Sequence, residues 1–252
     1  MTDQLLRALC LLLVFAETNA YAVPPAPPAI PSGVEPAVTL RFFYSPKSIS
    51  YFAETTAGTE TDHRVEKSVT LGAYDNIIPN LKVGAFYRRA YGLRHDADWN
   101  PSSGAWAWRD TQTRGEDFLI LDATPRIQIE ENWVAELKTR LLFDTFDGED
   151  TLTLRPGLTY FWLKNDEPFV NFFLQFEAFH PLNYGVQSLL EKWLYLGGLY
   201  HVSKNADFGA YTALGWETWG STSDYLHRGG AAYVLTSQST VLGAVAVFHL
   251  GN

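Results

Sequence analysis

Cysteine and methionine are almost missing. The chain holds one of each, Met1 and Cys10, and both fall in its first 22 residues. Beyond that segment no disulfide framework and no thiolate metal site can be built. Charge is also sparse, at 19% of residues, and its formal balance of −9 excludes the basic surface that a nucleic-acid partner requires. No apolar run approaches the roughly 20 residues of a membrane-spanning helix. No glycine-rich phosphate loop and no metal-ligand spacing occurs, so neither cofactor nor metal is expected. Aromatic residues, in contrast, are abundant: 16 Phe, 13 Tyr and 8 Trp in 252 residues. With 46% hydrophobic residues, the composition is that of an ordered chain.

The first segment reads as an export address. Leu5 to Phe15 form an apolar run broken only by Arg7, followed by Ala20-Tyr21-Ala22. Such a run suits a signal-peptide core, and small residues at positions 20 and 22 predict cleavage after Ala22. Leu9 before Cys10, inside the run, argues against lipidation. Cleavage of residues 1–22 would remove Arg7, Asp3 and Glu17 and move the formal charge from −9 to −8. Residues 23–36, VPPAPPAIPSGVEP, hold six prolines, which neither donate to a ladder nor continue a helix. They read as an extended, polyproline-like periplasmic tether.

From Ala37 onward the dominant signal is alternation with period two, the mark of a strand with unlike faces. In Thr151–Lys164, Leu152, Leu154, Leu158, Tyr160 and Trp162 share one face, while Thr151, Thr153, Arg155, Gly157 and Thr159 share the other. Leu119, Leu121, Ile127 and Ile129 oppose Asp122, Arg126 and Gln128; Trp133, Ala135, Leu137, Leu141 and Phe143 oppose Glu136, Lys138, Arg140 and Asp144. About twelve strands are predicted, at 37–45, 49–57, 65–75, 80–92, 116–129, 132–145, 150–164, 168–179, 191–203, 206–218, 225–236 and 239–250. Many exceed the 5–6 residues usual in soluble sandwiches and match the 9–11 or so needed to cross a bilayer at a tilt.

Alternation alone leaves open which face is wet. A soluble barrel turns its apolar face inward; a membrane barrel turns it toward lipid. Opposite charges on adjacent polar faces suit an enclosed lumen, where they can pair. Aromatics near segment ends (Tyr44, Tyr87, Tyr91, Trp133, Trp162, Trp193, Trp216 and Trp219) suit interfacial girdles. Together the signal-like segment, the cysteine-free body and the alternating strands resemble small Gram-negative outer-membrane β-barrel proteins over residues 37–252. The resemblance implies an all-β, antiparallel transmembrane β-barrel in the cell outer membrane, with outer-membrane lipid and the barrel assembly machinery as partners. It also implies an aromatic last residue, whereas this chain ends Phe248-His249-Leu250-Gly251-Asn252.

Asp122, Arg126, Glu136, Lys138, Arg140 and Arg155 are the candidate lumen-lining residues, with the cations positioned to attract a small anionic solute. Inward Phe169, Phe173 and Phe179 are expected to narrow the lumen. The long connection from Leu93 to Gly115 carries His95, Asp96, Asp98, Trp99, Trp106 and Trp108, read as loop polarity and loop packing, with cation or sugar contact as the sharper alternative. His180, His201, His227 and His249 lie one per segment, and the His-x-Ser-Asn-Gly run of outer-membrane phospholipases is missing, so no catalytic residue is assigned. The expected function is a passive pore for small solutes. The alternatives are an enzyme acting on lipid or envelope polymer, and a closed structural or adhesive barrel.

Overall fold

The alternating segments fold as strands. The structure is a computed structural model and describes residues 32–46, 48–59, 65–92, 98–100, 105–107, 115–145, 148–183, 191–220, 226–227 and 229–251. The strands are β1 (Gly33–Tyr44), β2 (Ile49–Thr59), β3 (Val65–Ile78), β4 (Leu81–Tyr91), β5 (Asp98–Asn100), β6 (Ala105–Ala107), β7 (Glu116–Glu130), β8 (Trp133–Asp144), β9 (Asp150–Lys164), β10 (Glu167–Pro181), β11 (Glu191–Ser203), β12 (Ala206–Gly220) and β13 (Val234–Leu250). All but β5 and β6 close into one barrel of eleven strands; β5 and β6 pair with each other alone.

Eleven replaces the expected twelve because 225–236 and 239–250 are not two strands. Residues 234–250 run as one, β13, paired along β12 from Gly220↔Val234 to Ala206↔Phe248. Thr236, Gln238 and Thr240 interrupt the apolar face and resemble a turn in the sequence, yet Ser237 and Ser239 between them are buried against the barrel interior. Gly229, expected in a strand, lies in a turn at φ +83°.

An odd count means that the first and last strands run the same way. β1 and β13 accordingly pair in parallel, Gly33↔Ser239 through Tyr44↔Leu250, while every other neighbouring pair in the barrel is antiparallel. Residues 33–36, expected in the tether, belong to β1. Pairing with β2 begins only at Ala37↔Gly58, so Pro36 lies where β1 has an open edge, the setting in which a strand tolerates proline. Residues 1–22 and 23–31 lie outside the described residues.

Connections segregate by length. The strand ends joined through residues 45–48, 79–80, 131–132, 165–166 and 204–205 lie at one rim, and those joined through 60–64, 92–115, 145–149, 182–190 and 221–233 lie at the other. In the turn between β9 and β10, Asn165 and Asp166 have φ of 55° and 63°, the left-handed pair that matches a two-residue hairpin to the twist of its strands. Register irregularities flank four of these tight turns, at Asn76/Ile78, Gln128/Glu130, Pro168/Val170 and His201/Ser203.

The apolar face points out. Leu71, Leu119, Leu121, Leu174, Leu196 and Leu242 are exposed on the outer wall, while Thr39, Thr70, Asp122, Thr124, Thr153 and Glu177 are buried toward the interior. The interior also holds a hydrophobic cluster of three aromatic rings, Phe52, Tyr74 and Phe86, with Ile120, and Phe43, Phe118 and Leu142 pack against it.

Candidate lumen site

Register converts the spacing of the candidate residues into contacts. Asp122 stands opposite Arg140, Arg126 opposite Glu136, and Lys138 opposite Arg155. All six lie on the inward face of β7, β8 and β9. Two like charges facing each other, Lys138 and Arg155, would be unfavourable alone. Each instead turns to a carboxylate: Lys138 Nζ is 3.5 Å from Asp122, and Arg155 donates to Glu177 of β10. Arg140 Nε donates to Asp122 at 3.0 Å, Thr124 donates to the same carboxylate at 2.7 Å, and Arg126 lies 3.4 Å from Glu136.

The structure extends this belt around the barrel. Arg41 of β1 donates to Glu54 of β2 at 2.6 Å. Lys82 of β4 lies 3.6 Å from the ring centre of Tyr74 on β3, and Lys138 donates to the Tyr74 hydroxyl at 3.5 Å. Tyr195 of β11 donates to Glu177 at 3.3 Å. Arg41, Glu54, Tyr74, Lys82, Glu177 and Tyr195 are thus members that strand-by-strand reading leaves unassigned. The available signal was their parity: each occupies a polar-face position, but only closure shows that the ends of the sheet bring Arg41 into the same enclosure as Arg155.

Two features organise the belt. First, every inward ion pair among the described residues joins neighbouring strands, so these pairs run around the wall instead of across the lumen. Second, the carboxylates are tucked against the wall and the cations face the enclosed space. Side-chain exposure is 39% for Arg41 against 23% for Glu54, 25% for Arg140 against 0% for Asp122, and 20% for Arg155 against 3% for Glu177. Arg88 with Glu66, near the long-connection rim, reverses this order. That rim also turns Glu35, Glu116, Asp144, Glu191 and Glu217 inward, so among the described residues carboxylates gather at one end of the enclosure and cations in its middle.

Inward aromatic rings lie along the wall because glycines receive them. A Cβ on Gly215 would meet the Trp193 ring at 2.5 Å, one on Gly197 the Phe173 ring at 2.6 Å, and one on Gly243 the Tyr211 ring at 2.1 Å. Gly243→Ala is expected to push the Tyr211 ring off the wall and into the lumen. Any conductance should fall with it, and adding Tyr211→Ala should restore the conductance; single-channel recording of both variants checks this. Trp193, expected in a girdle, therefore faces inward. Phe169, expected inward, instead packs at the bulge of β10 against the outward Trp162 and Tyr200, with ring centres 5.9 and 5.1 Å away. The extra residue of the bulge flips its side chain to the other face. Phe173 and Phe179 stay on the inward positions, opposite Gly197 and Thr153.

At the short-turn rim two of the scattered histidines meet. His201 Nδ1 lies 2.6 Å and His249 Nε2 3.0 Å from the two oxygens of buried Asp207, and His249 stacks on Phe43. This group ties β11, β12, β13 and β1 together across the parallel seam. Sequence spacing of 48 and 42 residues gave no hint of it. In the long connection, Asp98 and Trp99 fall in β5 and Trp106 in β6, with Trp99 opposite Trp106 in backbone register. His95, Asp96 and Trp108 lie outside the described residues. Among the described residues, no group of three or more His, Cys, Asp or Glu side chains is arranged to hold a metal ion. No protein-family model and no curated protein matches this chain.

Proposed function

We propose that this chain is a cell outer-membrane barrel, exported by its first 22 residues, that acts as a narrow passive pore with a preference for small anions. The observation carrying the reading is the layered lumen wall, with paired carboxylates beneath and Arg41, Lys138, Arg140 and Arg155 above them. A polar, charge-lined interior beneath an apolar outer wall is the inverse of a soluble barrel and suits lipid outside and water within. Strands of 11 to 17 residues supply the length for a tilted crossing. A ring of lumen cations selects anions by raising their local concentration.

The deciding experiment is conductance of the purified full chain in a planar bilayer under a KCl gradient. Discrete steps are expected, with a reversal potential of the sign that chloride preference requires. Arg126→Ser with Arg140→Ser should shift that potential toward zero. Cation preference, or unchanged selectivity in the double variant, would refute the pore assignment. The aromatic cluster around Phe52 and Phe86 favours a second reading, a closed structural or adhesive barrel. Stable insertion with no conductance under any condition selects it.

A further inference from the structure

Outward-facing charge is unfavourable on a wall turned toward lipid, which makes one group on the outer surface informative. Near the long-connection rim, β3 and β4 frame a groove of about 380 Å³ whose lining includes Lys67, Val69, Leu71, Tyr87, Arg89 and Tyr91. Lys67 lies opposite Tyr91, Val69 opposite Arg89 and Leu71 opposite Tyr87. The Lys67 ammonium is 5.2 Å from the Tyr91 ring centre and has no carboxylate partner among the described residues. Arg89 is fixed by Asp117 at 2.7 Å and by the Tyr91 hydroxyl at 2.7 Å, and Tyr87 also donates to Asp117. Among the described residues, two cations stand against one carboxylate at the head of the groove, and Lys67 is the one that no carboxylate meets.

Depth completes the pattern. Along β3, Val69 and Leu71 lie two and four residues farther from the rim than Lys67, roughly 7 and 13 Å at strand rise. Both are exposed. A positive head flanked by tyrosines, above an apolar floor, is complementary to an amphiphile with an anionic headgroup and acyl chains. Tyrosines hold the interfacial level and surface cations attract lipid phosphate. Long connections belong on the outer side of such barrels.

We infer that Lys67, Arg89, Tyr87 and Tyr91 form a binding site for the phosphate of an outer-leaflet phosphorylated glycolipid, with an acyl chain lying along Val69 and Leu71. The inference rests on the membrane reading above. Its test uses the full chain folded in zwitterionic detergent. The chain is titrated separately with lipid A carrying its phosphates, with dephosphorylated lipid A and with phosphatidylglycerol. Phosphorylated lipid A should bind tightest. Lys67→Gln should weaken it about fivefold, the factor of one surface cation against an anionic headgroup. Lys164→Gln, at the opposite rim, should not. Equal binding of phosphatidylglycerol, or indifference to both dephosphorylation and Lys67→Gln, would overturn the site while leaving the barrel in its membrane. A chain that enters neither micelles nor vesicles would overturn the membrane reading and the site together.

Discussion

Asp122→Ala is expected to lower the unfolding free energy by about 2–3 kcal/mol and to strengthen whatever anion preference the wild-type lumen has. Asp122 is the hub of the belt: its side chain is fully buried, Arg140 lies at 3.0 Å, Lys138 at 3.5 Å, and Thr124 donates to it. Removing one partner of a buried ion pair typically costs 3–5 kcal/mol, because the other charge is left uncompensated. Here the stranded cations are 18% and 25% exposed toward the lumen, so partial rehydration places the loss at or below the low end of that range. Urea unfolding of the variant in detergent, followed by tryptophan fluorescence, reads the loss. The reversal potential reads the added positive charge. An unchanged midpoint would mean that the belt contributes nothing to holding β7 against β8.

Gly72→Ala is expected to be still more disruptive to the fold, about 3 kcal/mol or more, whereas Gly157→Ala should cost under about 1 kcal/mol. Both glycines face the lumen, but their neighbours differ. A Cβ on Gly72 would meet the Ala85 carbonyl oxygen at 2.2 Å and the Phe86 Cα at 2.8 Å, both backbone atoms of β4. Neither can yield without separating β3 from β4, and Phe86 anchors the interior aromatic cluster. A Cβ on Gly157 would meet Gln175 Cγ at 3.1 Å and Glu136 Cγ at 3.4 Å. These are flexible side chains with room to turn. Parallel urea titrations of the two variants test the contrast, and equal losses would show that wall proximity does not decide the cost.

Much of this architecture is legible in the sequence. Period two groups Asp122, Arg126, Glu136, Lys138, Arg140 and Arg155 on the polar faces of β7, β8 and β9, while the direction in which those faces turn is read only from their opposite charges and the aromatics near the strand ends. Alternation is a local property, and each strand reports its own faces independently. Three kinds of information were not local. The strand count failed at Thr236–Thr240, where polar residues on the outer face hid the continuity of β13. The placement of Phe169 differs because a bulge inserts one residue and reverses parity, and Pro168, the residue type that suits a bulge, suits the start of a strand equally well. Closure was invisible as well. Arg41 with Glu54, and His201 with His249 on Asp207, become neighbours of the belt and of the seam only once the sheet returns on itself. Trp193 adds a subtler case: a tryptophan near a strand end satisfies the girdle pattern, but Gly215 opposite it offers an inward bed.

The parallel seam between β1 and β13 carries a consequence for rearranging the chain. In an even-stranded barrel the two ends emerge beside each other and can be spliced with a few residues. Here Gly33 and Leu250 sit at opposite rims, eleven register positions apart along one strand pair. A splice would have to climb roughly 35 Å. Circular permutation should therefore fail with short linkers, and in the proposed membrane setting reporter epitopes placed before Gly33 and after Leu250 should answer to probes applied from opposite sides.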